Sequence, residues 1–234
     1  MQPMPFPSTP LPPIPAVAPK LPYEPPRLGQ NFWILENALP NPQEVVERCF
    51  NHDRWEYGLP YRPEKWPGWR FHDVLTPEEL GGLEEWVKQV TGSRRLWVEQ
   101  AGVGARVDCN VAQLVGGKDS GPRPHTDSRD LCRYAAVIYL HPDPPADSGT
   151  SFYRLRYPNG AIGGNLVPAP YRNLVDALGV SKLPPQAWHE ELRIKNVFNR
   201  LLLYKANLVH SATAYFGEAE RERRLTTVFF WMAE

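Results

Sequence analysis

The alternation of apolar and polar positions divides the chain into three textures. Over residues 80–90 the apolar positions recur at helical spacing, with Leu80, Leu83, Trp86, Val87 and Val90 on one face. Ahead of them, Thr76-Pro77-Glu78-Glu79 is a capping box, a hydroxyl and a carboxylate three residues apart, and Thr91-Gly92 is a stop signal. These features predict a helix over about 76–91 with its stripe in the core. A shorter helix is predicted from Pro42, with Asn41 as N-cap and Pro42 at the first helical position. A short strand over residues 31–35 precedes it.

After residue 94 the pattern shortens. "LWVEQ", "ARVDCNVAQLV", "CRYAAVIYLH", "TSFYRLR", "NRLLLYKANLVHS" and "RLTTVFFWMA" are brief runs rich in β-branched, leucine and aromatic residues, separated by turn residues. Serial short strands of this kind predict a sandwich or barrel. Residues 159–192 interrupt them with Gly160, Gly163 and Gly164 and then two segments, "YRNLVDALGV" and "LPPQAWHEEL", that read as short helices. The fold class expected is therefore α+β, mainly β, with N-terminal helices packed on a β-rich half. Residues 28–234 are expected to form one domain, helical over 28–93 and β-rich over 94–234. The insert at 159–192 and the aromatic loop at 55–71 are expected to be lids, because variable segments around a rigid scaffold choose the ligand.

Residues 1–27 hold eleven of the 27 prolines. Each proline fixes φ and removes a backbone donor, so this arm is expected to be extended or disordered, strapped over the domain or offered to a partner. Formal net charge is +0, so no basic field is offered to nucleic acid or to an anionic membrane. Three cysteines without CxxC spacing argue against a disulfide framework and for a reducing, cytoplasmic setting. No apolar run is long enough for a membrane span, and no secretory leader is expected.

Candidate chemistry begins at "GPRPHTDSRD". His125 and Asp127, one residue apart in a proline-rich turn, can both reach one ion. Two imidazoles and one carboxylate on one face of a metal leave positions open for a cosubstrate and O2, the arrangement of non-haem Fe(II) oxygenases. Of the other histidines, His210 stands at the end of the buried-strand pattern "NRLLLYKANLVHSA". His141 sits in a proline-rich turn, His189 on an expected helix, and His52 and His72 directly precede aspartates without the one-residue gap. Fourteen residues after His210, Arg224-Leu225-Thr226 opens the last strand, where alternation puts Arg224, Thr226 and Val228 on one face. A guanidinium there holds a carboxylate by two parallel hydrogen bonds. Cys109 and Cys132 read as small core residues, and Tyr134, Tyr139, Phe152 and Tyr204 as core first, with Tyr139 and Tyr204 also placed to line a pocket.

His125-Thr126-Asp127, then "YAAVIYLH", "SGTSF", "NRLLLYKANLVHSA" and "RRLTTVFFW", resemble the successive core strands of the Fe(II)/2-oxoglutarate-dependent oxygenases, closest to their prolyl-hydroxylase-like branch. The resemblance covers residues 94–234. It implies a double-stranded β-helix (jelly-roll, cupin-like) core. It also implies iron held by His125, Asp127 and His210, 2-oxoglutarate paired with Arg224 and assisted by Thr226, and O2 as cosubstrate. The activity implied is hydroxylation of a peptide, an amino acid or a specialised-metabolite intermediate. The sequence departs from the branch in two places. The usual tyrosine contact before the HxD motif is missing, with Asn110 and Gln113 as substitutes on strand alternation. The basic anchor is an arginine where a lysine is common; Arg221 and Arg223 lack the RxT spacing. Asp127 disfavours halogenation, since the related halogenases lack that carboxylate. Two readings stay open beside this one: a cupin-like metalloenzyme that uses no ketoacid, and a non-enzymatic β-sandwich binding module.

Overall fold

The capping box closes as its spacing predicts. Thr76 Oγ1 accepts from the Glu79 N–H at 3.2 Å, and Glu79 Oε2 accepts from the Thr76 N–H at 2.8 Å. In the computed structural model, which describes residues 20–51, 53–58, 60–61, 64–65, 67–101, 105–106 and 109–234, the helix that follows runs Pro77–Thr91 and ends on Gly92 at φ 73°. His52 and the first nineteen residues of the proline-rich arm lie outside the described residues.

In chain order the elements are β1 (Phe32–Leu35), α1 (Pro42–Phe50), β2 (Glu56–Tyr57), β3 (Pro60–Tyr61), β4 (Glu64–Lys65), β5 (Trp69–His72), α2 (Pro77–Thr91), β6 (Leu96–Trp97), β7 (Gln100–Ala101) and β8 (Ala105–Arg106). There follow β9 (Val111–Val115), β10 (Tyr134–Tyr139), β11 (Gly149–Leu155), α3 (Leu174–Leu178), β12 (Trp188–Lys195), β13 (Leu201–Lys205), β14 (His210–Ala212) and β15 (Arg224–Ala233). Asn41 stands at the N-cap of α1, but its side chain makes no capping bond there; Pro42, with φ already fixed, starts the helix.

The larger sheet is antiparallel in the order β1-β13-β10-β15-β9-β5-β2, with β6 also on β15. The smaller sheet is β12-β11-β14. Both faces of the larger sheet are covered, so its strands read as apolar runs rather than clean alternations. Its outer face carries Trp33, Phe71, Leu114, Ile138, Leu203, Phe229 and Trp231, packed with Val45 and Cys49 of α1 and Leu83 and Val87 of α2. Trp231 also donates from Nε1 to Glu84 of α2 at 3.1 Å. Arg48 of α1 bonds the capping carboxylate Glu79 at 2.8 Å, which ties the two helices together. The inner face carries Phe32, Val111, Ala135, Val137, Leu202, Tyr204, Val228 and Phe230, packed against Phe152 and Ile194 of the smaller sheet. Two sheets closed on one interior in this way form a double-stranded β-helix.

Three expectations change. The stretch 28–93 is not only helical: β1 and β5 join the larger sheet at β13 and β9, so the β-helix draws on chain before residue 94. "QAWHEEL" is not a helix. Trp188–Lys195 is a strand, β12, paired along β11, because backbone pairing in the sheet outweighs a helical composition. His189 accordingly sits on a strand. The remainder of the insert packs Leu174, Ala177 and Leu178 against Leu155, Val167 and Val209, and so forms part of the core. The aromatic stretch around residue 57 is likewise bound to the sheet, with β2 paired to β5. No helix among the described residues is long and apolar enough to cross a membrane.

The capping box gives the first prediction. Thr76→Ala removes an N-cap acceptor and is expected to cost about 1 kcal/mol, lowering Tm by roughly 2–4 °C for a chain of this size. Thermal denaturation followed by circular dichroism checks it.

Candidate active site

His125, Asp127 and His210 converge. One ligand atom from each lies within 4.8 Å of the others. Asp127 Oδ2 is 3.6 Å from His210 Nε2, and Asp127 Oδ1 is 3.9 Å from His125 Nε2. The backbone sets this up: His125 and His210 exchange both N–H···O bonds across an antiparallel bridge, at 2.8 and 2.9 Å. The Asp127 N–H donates to the Ala206 carbonyl at 3.0 Å. Each imidazole is then turned by the same device. His125 Nδ1 lies 2.8 Å from the Arg123 carbonyl and His210 Nδ1 lies 2.8 Å from the Leu208 carbonyl. With Nδ1–H given to a carbonyl two residues back, both rings present Nε2 to the aspartate.

The three groups differ in exposure. The His210 side chain is 4% exposed and Asp127 8%, whereas His125 is 47% exposed. Burial pushes the His210 imidazole down to about 4, against a smaller opposing effect of its bond to Leu208. The ring is therefore neutral near pH 7 and ready to donate its lone pair. Tyr204 packs on it with ring centroids 4.4 Å apart.

Arg224 opens β15 and is buried, 3% exposed. Thr226, two residues on, shares its face, and Arg224 Nη1 lies 3.4 Å from Thr226 Oγ1. Arg224 Nε is buried without a hydrogen-bond partner, and no carboxylate among the described residues forms an ion pair with this side chain. Burying a guanidinium without a counter-charge is costly; such a group is set to receive an anion. Tyr139 and Tyr215 flank it, their rings 5.8 and 5.6 Å from its central carbon. Tyr139 is wholly buried and donates to Thr150 Oγ1 at 2.8 Å.

Gln113 stands on the inner face of β9, opposite Thr226 and beside Arg70 of β5. Asn110 is placed otherwise. It turns the chain at φ 62° before β9, and its amide is spent on the Leu75 backbone, accepting from N–H at 2.8 Å and donating to C=O at 2.9 Å. It clamps the approach to α2 and does not face the site. Arg221 and Arg223 lie outside it as well: Arg221 pairs with Glu47 of α1 at 2.9 Å and Arg223 bonds the Glu218 carbonyl. His141 packs edge-on against Phe216. Tyr215 and the buried Arg70 carry no sequence signal of their role. One is in a charged turn and the other in an aromatic loop, and only tertiary pairing brings them to the inner face.

The donor set fits a divalent iron: two imidazole nitrogens and one carboxylate, with His125 on the exposed side. The family model described as "Family of unknown function (DUF6445)" matches residues 22–230. The chain belongs to that family. No curated protein matches it. Among solved structures, this member of DUF6445 is similar to SnoN, a non-heme alpha ketoglutarate dependent epimerase from nogalamycin biosynthesis. The identity is 16% and the TM-score 0.51, over 87% of this chain and 76% of that one. It is also similar to SnoK, a non-heme alpha ketoglutarate dependent carbocyclase from the same biosynthesis, at 13% identity and TM-score 0.50, over 87% and 80%. At these identities the likeness is one of fold, the double-stranded β-helix.

The geometry predicts that His210→Ala weakens Co(II) binding by more than roughly 100-fold, beyond the usual effect of changes outside the ligand set. Asn110→Ala is expected to lower Tm and leave Co(II) affinity unchanged. Titration followed by the cobalt d–d absorption distinguishes them.

Proposed function

We propose that this DUF6445 protein is an Fe(II)- and 2-oxoglutarate-dependent oxygenase that oxidises an unactivated C–H bond, with hydroxylation as the default outcome. One observation carries the reading. A His-Asp-His cluster within 4.8 Å and a buried arginine without a carboxylate partner serve the same interior. The cluster alone fits many metalloenzymes. Arg224 separates this reading from a cupin-like enzyme that uses no ketoacid, because such an enzyme has no use for a buried carboxylate receptor. A substrate among peptides, amino acids and specialised-metabolite intermediates fits the neutral chain, and residues 28–234 are read as the single oxygenase domain.

His125, Asp127 and His210 would hold the iron, and Arg224 with Thr226 would hold the distal carboxylate of 2-oxoglutarate. Bound together, iron and ketoacid supply O2 activation coupled to loss of CO2 and formation of succinate. The chain's own contribution is placement and exclusion of water. The carbonyls of Arg123 and Leu208 keep both imidazoles in the tautomer that offers Nε2. The Arg224 fork would pair with one carboxylate of the diacid through parallel N–H donors. Phe152, Val228 and Phe230 make the inner wall apolar, so a reactive centre there is shielded from solvent. The more exposed His125 marks the side from which substrate approaches. Desaturation and cyclisation stay among the outcomes, and SnoK, a carbocyclase of like fold, supports keeping cyclisation.

Anaerobic addition of Fe(II) and then 2-oxoglutarate is expected to give a visible charge-transfer band that needs both. In Arg224→Ala the ketoacid concentration for half-saturation should rise about 30-fold or more, which corresponds to roughly 2 kcal/mol for one lost partner of a buried charge pair. Iron binding with no band at any ketoacid concentration would reject the 2-oxoglutarate reading and leave the cupin-like one.

A further inference from the structure

We propose that Asn165 is a positioning residue for His210, through which the N-terminal strap at residues 21–24 helps hold the metal site in shape. This inference rests on the metal-site reading above. Three stretches of backbone lie side by side behind His210: residues 22–24, 165–167 and 207–209. The Asn165 and Leu166 N–H groups both donate to the Pro22 carbonyl, at 3.0 and 3.1 Å. On the other side, Val209 N–H donates to the Asn165 carbonyl at 2.8 Å and Val167 N–H to the Asn207 carbonyl at 3.0 Å. Leu166 and Leu208 form an antiparallel bridge.

One peptide unit joins this stack to the site. The carbonyl that turns the His210 ring belongs to Leu208, and the N–H of the same planar unit belongs to Val209. A peptide plane is rigid, so the group that holds its N–H also aims its C=O. That group is the Asn165 carbonyl. Asn165 is itself wholly buried and uses its amide on the strap: Oδ1 accepts from Glu24 N–H at 2.9 Å and Nδ2 donates to the Glu24 carbonyl at 2.7 Å. The strap is pressed close. A Cβ on Gly164 would lie 2.0 Å from the Leu21 carbonyl oxygen and 2.1 Å from that of Pro22, so only glycine fits. Farther along, Tyr23 lies over the Arg154 guanidinium at 3.9 Å and donates to Glu191 at 2.6 Å, while Leu21 is buried beside Leu155 and Val209. Ligand orientation by groups outside the ligand set governs metal affinity, and here those groups reach back to the start of the described chain.

The test compares Co(II) affinity, the Tm of the metal-free protein and the His210 Nδ1–H resonance in full-length wild type, Asn165→Ala and Tyr23→Ala. Asn165→Ala is expected to weaken Co(II) binding about 10-fold and to broaden or shift the His210 signal. Tyr23→Ala, a change at a half-exposed anchor, is expected to weaken binding by about threefold. Lower Tm with unchanged cobalt affinity and an unchanged His210 signal in Asn165→Ala would overturn the proposal and make Asn165 a fastener of the strap alone. If Asn165→Ala does not fold, Tyr23→Ala decides in the same way. Wild-type protein that fails to bind Co(II) would reject the metal-site reading itself, and this inference with it; variants that match a tightly binding wild type reject only the inference.

Discussion

The strand Arg224–Ala233 is buried on both faces, and that double burial governs what surrounds it. Outward, Leu225, Phe229 and Trp231 must meet the helices, which they do through the stripe of α2 and the Glu84 bond to Trp231. Inward, Arg224, Thr226, Val228 and Phe230 must face the second sheet, because side chains alternate along a strand. The first two of these are polar and the last two apolar. The interior therefore has a charged end and an apolar wall by necessity of a single strand's register. A slip of one residue would send Arg224 into the helices and Trp231 into the cavity.

The His-Asp-His cluster depends on a different kind of order. His125 and Asp127 lie outside the named strands, and their positions come from backbone bonds to the strand and turn around His210. Thr126, between them, is buried and accepts from the Leu174 N–H at 2.9 Å, which ties the loop to the first residue of α3. The insert thus supports the His125–Asp127 loop from behind. It reads as a lid in sequence because glycines and short helical patterns break the strand series, and nothing in its composition states what its apolar residues pack on.

What was legible in the sequence follows from how local each signal is. The capping box, the Gly92 stop and the apolar stripe of α2 concern neighbours within a turn or two. HxD concerns three residues, and His210 was found because a strand pattern ends on it. Asn110 and Gln113 are three residues apart, so strand alternation itself puts them on opposite faces; Asn110 also precedes β9, in a left-handed turn that leaves its side chain on Leu75. "QAWHEEL" has a helical composition but pairs along β11 as a strand, because helix propensity is a weak prior that sheet pairing overrides. Arg70, Tyr215 and Asn165 were not legible at all. Each acquires its neighbours from elsewhere in the chain, from β5 to β9, from a turn to β15, and from the insert to both the strap and the residue before β14.

Arg224 is buried with no carboxylate partner among the described residues, and its neighbours explain why an arginine suits that place better than a lysine. A lysine ammonium is a compact, strongly hydrated charge, which a dry site stabilises poorly without close acceptors. A guanidinium is planar and weakly hydrated, and its faces rest favourably against aromatic rings. Here the rings of Tyr139 and Tyr215 lie 5.8 and 5.6 Å from the central carbon of Arg224, one from β10 and one from the turn before β15. Tyr139 stands on a strand whose pattern already offers it to the interior, whereas Tyr215 comes from a turn that no alternation covers. Together they lower the cost of keeping the cation buried and confine it, while Thr226 stands at its edge. Arg224 and its aromatic neighbours therefore form one unit. A lysine at 224 would keep the charge, but it would lose the flat contact that lets the charge stay dry and the two parallel donors that match a carboxylate.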